Sequence, residues 1–430
     1  MSLPDLPPIP DKNADTAPDP TDGPAGGWGS LAGLRVLDLT QALAGPYCTQ
    51  MLADHGAEVV KIEPPESGDL ARTTGAYHAQ DTAHVNSGYF HSINRNKKSV
   101  VVDLKHPEGP ELILDLVPHF DVVVENFRVG VMDRLGIGYE TLRARNPKLV
   151  YATVRGFGDP RSGVSPYVDW PAFDVVAQAM GGISGITGPD ARSPMKIGPG
   201  VGDIVPALYL TIGVLSAVIH ARATGQGQFV DVSMVDAMLA TTERIVQQWS
   251  FGKEIAKPEG NYHPLMSPFG IYPARDGHVA IATVSQKFFR IFCEELGAPE
   301  LADRKEYASQ KARSVAGRPL DLIVAEMTAR FTRAELTERL GGKIPFGPVY
   351  TMEDISKDQH FAVREMLVPI EVEGIDDELF IAGIPIKMSE TPGRITAPGP
   401  KQGQHSEEVL AQSGLSAERI AELIEAGVVR

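Results

Sequence analysis

Between residues 33 and 154 the sequence alternates short β-branched runs with stretches of helical period, and that alternation restricts the fold more than any other feature. Arg35-Val36-Leu37-Asp38-Leu39 reads as a short buried strand, a helix follows over 45–56, and Glu58-Val59-Val60-Lys61-Ile62 is a second strand. A third strand over 99–104, a helix over 107–119, a fourth strand over 121–125, a helix near 130–145 and a fifth strand over 149–154 continue the pattern. Strands separated by a helix run parallel, because the chain must cross back over the sheet before each new strand. The expected class is α/β: a large, Rossmann-like doubly wound domain with a smaller α+β domain beside it in the sequence.

Residues 1–29 are rich in Pro, Asp and Gly and carry almost no apolar periodicity. Such a stretch buries too little surface to offset its ordering entropy, so it reads as a flexible N-terminal tail. The large domain is expected over 30–235 and is completed by 385–430, where the tract from Ser406 predicts two short helices with Ser406 and Ser416 as N-caps. Past residue 260 the character changes. Runs at Phe269–Tyr272 and His278–Thr283 flank Arg275-Asp276-Gly277, a hairpin signal. Charged amphipathic helices follow through about residue 340, and Pro345-Phe346-Gly347-Pro348 reads as a rigid loop. This is the smaller α+β domain, over 260–360.

A chain of 430 residues exceeds one typical domain, and 43% hydrophobic with 22% charged residues gives ample core. The net charge of −15 argues against non-specific binding to nucleic acid or to an anionic membrane, though not against an anionic small ligand held by local charge. Two cysteines, Cys48 and Cys293, lie far apart in no metal-ligand spacing, which points to free thiols in a reducing compartment. With no charged-then-apolar leader, a cytoplasmic location is expected. The apolar run 204–221 contains Pro206, Tyr209 and Gly213 and reads as a buried helix rather than a membrane span. The phosphate loop G-x-x-x-x-G-K-[ST], a G-x-G-x-x-G after the first strand, HExxH, CxxC and G-x-S-x-G are all missing. A nicotinamide-dependent oxidoreductase therefore loses support.

Carboxylates carry the remaining chemistry. Gly198-Pro199-Gly200-Val201-Gly202-Asp203 delivers Asp203 to the start of the apolar helix, where free N–H groups and the helix dipole favour an anion. Asp174 starts another apolar helix in the same way. By its residues alone each reads first as an ordinary N-cap, and only secondly as one of two carboxyl groups facing a single cleft. Arg95, Lys97, Lys98, Arg128 and Arg134 concentrate near predicted strand ends, as a solvated face or as an anchor for phosphates.

Three blocks near the N-terminus carry a resemblance: Leu31-Ala32-Gly33-Leu34-Arg35-Val36-Leu37-Asp38-Leu39-Thr40, Leu43-Ala44-Gly45-Pro46-Tyr47-Cys48-Thr49-Gln50-Met51-Leu52, and Gly56-Ala57-Glu58-Val59-Val60-Lys61-Ile62-Glu63-Pro64. Gly68-Asp69, Asn94–Ser99, Val124–Arg128, Arg134-Leu135-Gly136, Gly202-Asp203, Thr224–Gln228 and Asp231–Met234 extend it. In this order they resemble the family III CoA-transferases, the CaiB–BaiF group that includes formyl-CoA transferase, from Leu31 to Val429. The resemblance implies that Asp203 is the aspartyl nucleophile and that Asp174 is the acid beside it. It places contacts to coenzyme A on Lys61 and Pro64, on Arg95, Asn96 and Lys97, on Asn126, Phe127 and Arg128, and on Arg134. It also implies a homodimer of two chains interlocked as rings.

Two departures bear on the substrate. Leu43 stands where formyl-CoA transferases have a glutamine, and their glycine-rich cover has no counterpart between 255 and 270. Oxalate and formate are not the expected acids. The implied reaction passes coenzyme A from an acyl-CoA to a carboxylic acid through covalent intermediates on Asp203, with the CoA thioester as substrate and no metal or redox cofactor. The alternatives are a non-catalytic acyl-CoA-binding protein and, within the same superfamily, an α-methylacyl-CoA racemase. Racemases need a base and an acid on opposite faces of the α-carbon, and they carry a histidine just before the acid that matches Asp174. Here that residue is Phe173, which has no proton to exchange.

Overall fold

The computed structural model describes residues 27–430, so all but the last three residues of the expected tail lie outside the described residues. Among the described residues the chain divides into two units, one of 27–177, 200–240 and 362–430, the other of 178–199 and 241–361. The second unit thus takes 178–199 from inside the range expected for the large domain, and the chain returns to the first unit at 362 rather than 385.

The first unit is built on six parallel strands: β1 (Arg35–Asp38), β2 (Glu58–Glu63), β3 (Lys98–Val101), β4 (Val122–Glu125), β5 (Val150–Arg155) and β6 (Phe229–Ser233), in the order β3-β2-β1-β4-β5-β6. Val36 pairs with Val59 on one side and with Val122 on the other, so β1 is central and its apolar run is fully buried. Strands covered on both faces can be continuously apolar, which explains why these runs do not alternate. The chain builds outward from β1 to β3, then returns to place β4 on the other side. That reversal opens a crevice at the carboxyl ends of β1 and β4.

One face of the sheet meets α1 (Ala44–Asp54) and α7 (Val201–Thr224). On the other, Leu37, Leu39, Val60, Ile62, Val100 and Tyr151 pack with α3 (Glu108–Leu116), α5 (Tyr139–Arg145) and the C-terminal helices Ser406–Gln412 and Ala417–Glu425. Val428 and Val429 are fully buried in that same core. The helix expected over 130–145 is two pieces, α4 (Val131–Arg134) and α5, because Gly136 turns the chain at φ 75°. Ser416 caps the last helix as expected, whereas Ser406 sits inside its helix and His405 is the cap residue.

The second unit packs a three-stranded antiparallel sheet, β7 (Phe269–Ala274), β8 (Gly277–Ala282) and β9 (Phe346–Pro348), on helices through Phe289, Phe292, Leu320, Val324, Leu336 and Leu340. The hairpin at Asp276-Gly277 forms as predicted. The rigid loop expected at 345–348 is instead a strand, since Phe346, Gly347 and Pro348 pair with Ile281, Ala280 and Val279.

Candidate active site

The crevice at the switch point is a cavity of about 490 Å³, lined by the segments that leave three strands. Gln41–Ala44 follow β1, Asn126–Val129 follow β4, and Val154–Phe157 end and follow β5; Leu70, Arg134, Val168–Phe173, Asp203 and Met234 complete the wall. Of the residues that the resemblance connects with coenzyme A, the structure therefore brings Asn126, Phe127, Arg128 and Arg134 into one cavity with Asp203. Arg128 and Arg134 are exposed, and among the described residues neither takes part in an ion pair.

Asp203 lies in the first turn of α7 but is not its N-cap: Gly200 is, with its carbonyl accepting from the N–H groups of Asp203 and Ile204. Glycine has no side chain to cap the helix, and Asp174 does so from a neighbouring element. Its Oδ1 accepts from the N–H of Gly202 at 2.8 Å. Asp174 opens α6 (Asp174–Met180), and a Cβ at Gly202 would lie 2.4 Å from its carbonyl oxygen. Glycine there is what lets the two helix starts approach. A Cβ at Gly200 would sit 3.7 Å from Asp203 Oδ2, 3.8 Å from Asp174 Cγ and 3.1 Å from Leu43 Cδ2, so both carboxyl groups and Leu43 surround one point. Partial burial, and secondly the charge of Asp174, raise the Asp203 carboxyl to about 7.

Tyr89, half-buried on α2 (Gly88–Asn94), was not among the residues expected from sequence. Burial first, and then Asp203, Asp69 and Asp174, push its phenol up to about 12, so it keeps its proton as a hydrogen-bond donor. Nothing in the sequence marks it, for Ser87-Gly88-Tyr89-Phe90 reads as an ordinary capped helix start.

The other residues connected with coenzyme A are placed differently. Lys61 and Lys97 are fully buried and bind carboxylates within the unit, Lys61 to Asp69 at 2.6 Å and Lys97 to Asp38 at 3.0 Å. Burial alone drives a lysine toward its neutral form; it lowers Lys97 to about 8, whereas Asp38, Asp69 and Glu63 outweigh it at Lys61 and hold that ammonium above its usual value. Burial would likewise neutralise Asp38, but the two lysines hold its carboxyl well below the usual range. Arg95 pairs with Asp54 at 2.7 Å, and Asn96 bonds Asp54 and the backbone of Arg394. Pro64 is half-buried outside the cavity wall, with its carbonyl accepting from Gln402. These five residues build the frame below the crevice.

Residues 31–406 match the family model described as CoA-transferase family III. A succinyl-CoA:mesaconate CoA-transferase of Haloarcula marismortui is 43% identical over 387 residues, covering 90% of this chain and 97% of that protein. A succinate–glutarate CoA-transferase of Agrobacterium fabrum is 37% identical, covering 89% and 95%. Among solved structures, a CaiB/BaiF family protein from Brucella suis superposes with a TM-score of 0.80 at 33% identity, covering 90% of this chain and all of that one. A parallel six-stranded sheet with this crevice, together with these likenesses, defines a CoA-transferase. The chain belongs to CoA-transferase family III.

Proposed function

We propose that this enzyme moves coenzyme A from succinyl-CoA to a small dicarboxylic acid through covalent intermediates on Asp203. The observation that carries the mechanism is the placement of one carboxyl group, raised to about 7, at the wall of a cavity that also presents Arg128 and Arg134, neither in an ion pair among the described residues. Ionised Asp203 attacks the thioester carbonyl; the C–S bond breaks and coenzyme A leaves as thiolate beside a mixed anhydride. The thiolate then attacks the aspartyl carbonyl, releasing the donor acid and leaving an aspartyl-CoA thioester. Attack by the acceptor carboxylate and return of the thiolate reverse the sequence and free Asp203. Bonds and electrons balance among thioester, acid and aspartate, so the exchange draws on no further cofactor.

Leucine at position 43, the N-cap residue of α1, has no side chain to cap the first turn on the cavity side, which leaves that turn a source of N–H donors for a developing oxyanion. Arg128 and Arg134 suit the phosphates of coenzyme A. The choice of acids rests on the relatives, whose names pair succinate or succinyl-CoA with mesaconate or glutarate. A racemase is disfavoured because Phe173, 65% exposed on the cavity wall, offers neither acid nor base. Homodimerisation fits the outward side of α7, where Ile212 and Ile219 are 62% and 71% exposed on a helix expected to be buried. That helix is long and apolar enough to cross a membrane, yet it packs on β5 and β6, and we assign it to an interface between copies. Buried free thiols at Cys48 and Cys293 support a cytoplasmic location.

The test is chemical. Incubation with succinyl-CoA and hydroxylamine is expected to convert Asp203 alone to a hydroxamate, read by peptide mass spectrometry. An unmodified Asp203 in an enzyme that exchanges CoA sinks the mechanism. Deuterium uptake at C2 of a 2-methylacyl-CoA at catalytic rates would instead establish the racemase.

A further inference from the structure

Gln41–Ala44 shape the cavity wall next to both carboxyl groups, and the turn they form is conformationally costly: Ala42 has φ 66°, in the left-handed region where a Cβ is disfavoured. Something outside the turn must hold it. The N–H of Ala42 donates to Asp69 Oδ1 at 2.9 Å. The same oxygen accepts from the N–H of Ala71 at 2.8 Å, and Oδ2 pairs with Lys61 Nζ at 2.6 Å. Both side chains of that pair are fully shielded from solvent. Lys61 also donates to the carbonyl of Thr40 at 2.8 Å, so the pair grips the turn on both sides of Gln41. Gln41 itself is tied by its N–H and carbonyl to the side chain of Asn126, at 2.9 and 2.8 Å.

We propose that Asp69, which does not line the cavity, is a positioning residue for the transfer reaction: through the buried pair with Lys61 it holds Ala42 left-handed and so places Leu43 against Asp203 and Asp174. The proposal rests on the transferase reading of this cavity. The geometry separates the two ends of the device. The Asp69 carboxylate binds the N–H groups of Ala42 and Ala71 and the ammonium of Lys61, and its own N–H donates to Glu63 Oε2 at 3.0 Å, whereas the turn it holds meets the point at which the carboxyl groups converge. A shift of an ångström in such a wall costs on the order of 100-fold in rate without abolishing binding.

Asp69→Ala is made in the wild-type chain and in Ala42→Gly, since glycine adopts the left-handed turn without strain. CoA transfer from succinyl-CoA to glutarate and hydrogen exchange of the amides over 40–47 are measured in all four proteins. In the wild-type background kcat is expected to fall about 100-fold, with KM for succinyl-CoA held within about threefold and exchange at 41–44 accelerated. In the Ala42→Gly background the same substitution is expected to cost about 10-fold or less, a coupling that a purely structural role would not produce. Equal losses in both backgrounds, or unchanged exchange at 41–44 in a folded Asp69→Ala protein, overturn the proposal. If the wild-type chain transfers no CoA, the exchange data still decide the clamp, so the two failures are distinguishable. Should Asp69→Ala not fold, Ala42→Val carries the test: a β-branched residue is expected to expel the turn and reproduce the loss of kcat, and wild-type kcat in that variant overturns the clamp.

Discussion

A carboxyl group partly withdrawn from water beside a second carboxyl is reluctant to ionise, and that reluctance makes Asp203 both a strained and a reactive group. Between about pH 4 and pH 7 the folded protein keeps a proton on Asp203 that the unfolded chain has released, so this residue's contribution to stability declines as pH rises through that window. At pH 8 Asp203→Asn is therefore expected to abolish transfer and to stabilise the fold by about 2 kcal/mol, read from denaturant melts. Activity runs the other way. In wild type, kcat/KM for acyl-CoA should climb to a plateau above about pH 7, and Asp174→Asn, which removes the neighbouring charge, should move that midpoint to lower pH. A pH profile with no ionisation near 7 would count against Asp203 as nucleophile. Asp203 was conspicuous in the sequence, framed by a glycine-rich turn and an apolar helix, though only the family resemblance gave it a role beyond a helix cap. Tyr89 was not, and Gly68-Asp69 entered only as part of the family resemblance, with no role attached: both roles depend on contacts with segments far away in sequence.

At the scale of elements, the start of α7 depends on a close approach that one methyl group would block. A Cβ at Gly202 falls 2.4 Å from the Asp174 carbonyl oxygen and 2.9 Å from its Oδ1. Gly202→Ala is expected to cost about 1–3 kcal/mol, as overpacking does, and to lower kcat at least tenfold by parting the carboxyl groups. Thermal melts and steady-state rates check the two effects. The first five strands were readable because strands covered on both faces are continuous β-branched runs. β6 escaped that reading: Phe229-Val230-Asp231-Val232-Ser233 alternates, and most of the strand is only half-buried. β9 escaped it because three residues ending in proline look like a loop until their partner β8 is known. The lysines of the frame, Lys61 and Lys97, resemble ligand contacts in sequence, and only burial shows that their charges are spoken for by Asp69 and Asp38.

For the whole molecule, the uncovered side of α7 predicts self-association: light scattering coupled to gel filtration should give twice the 46.3 kDa of one chain, and a monomer would remove the proposed interface. Removing 417–430 should leave the protein unable to fold, as followed by circular dichroism. It deletes Ile420, Leu423, Val428 and Val429 from the main core and the Val102–Val429 bridge beside β3. That last contact has a bearing on biosynthesis. The ribosome makes β1 before the second unit, but residues that help close one face of its sheet, Val409 to Val429, are made after the second unit has emerged. Until those residues emerge, part of that apolar face waits uncovered, the condition that invites aggregation and recruits chaperones to nascent chains. The first unit is thus begun before the second and completed after it, and it acquires its native core only once the second unit has been made.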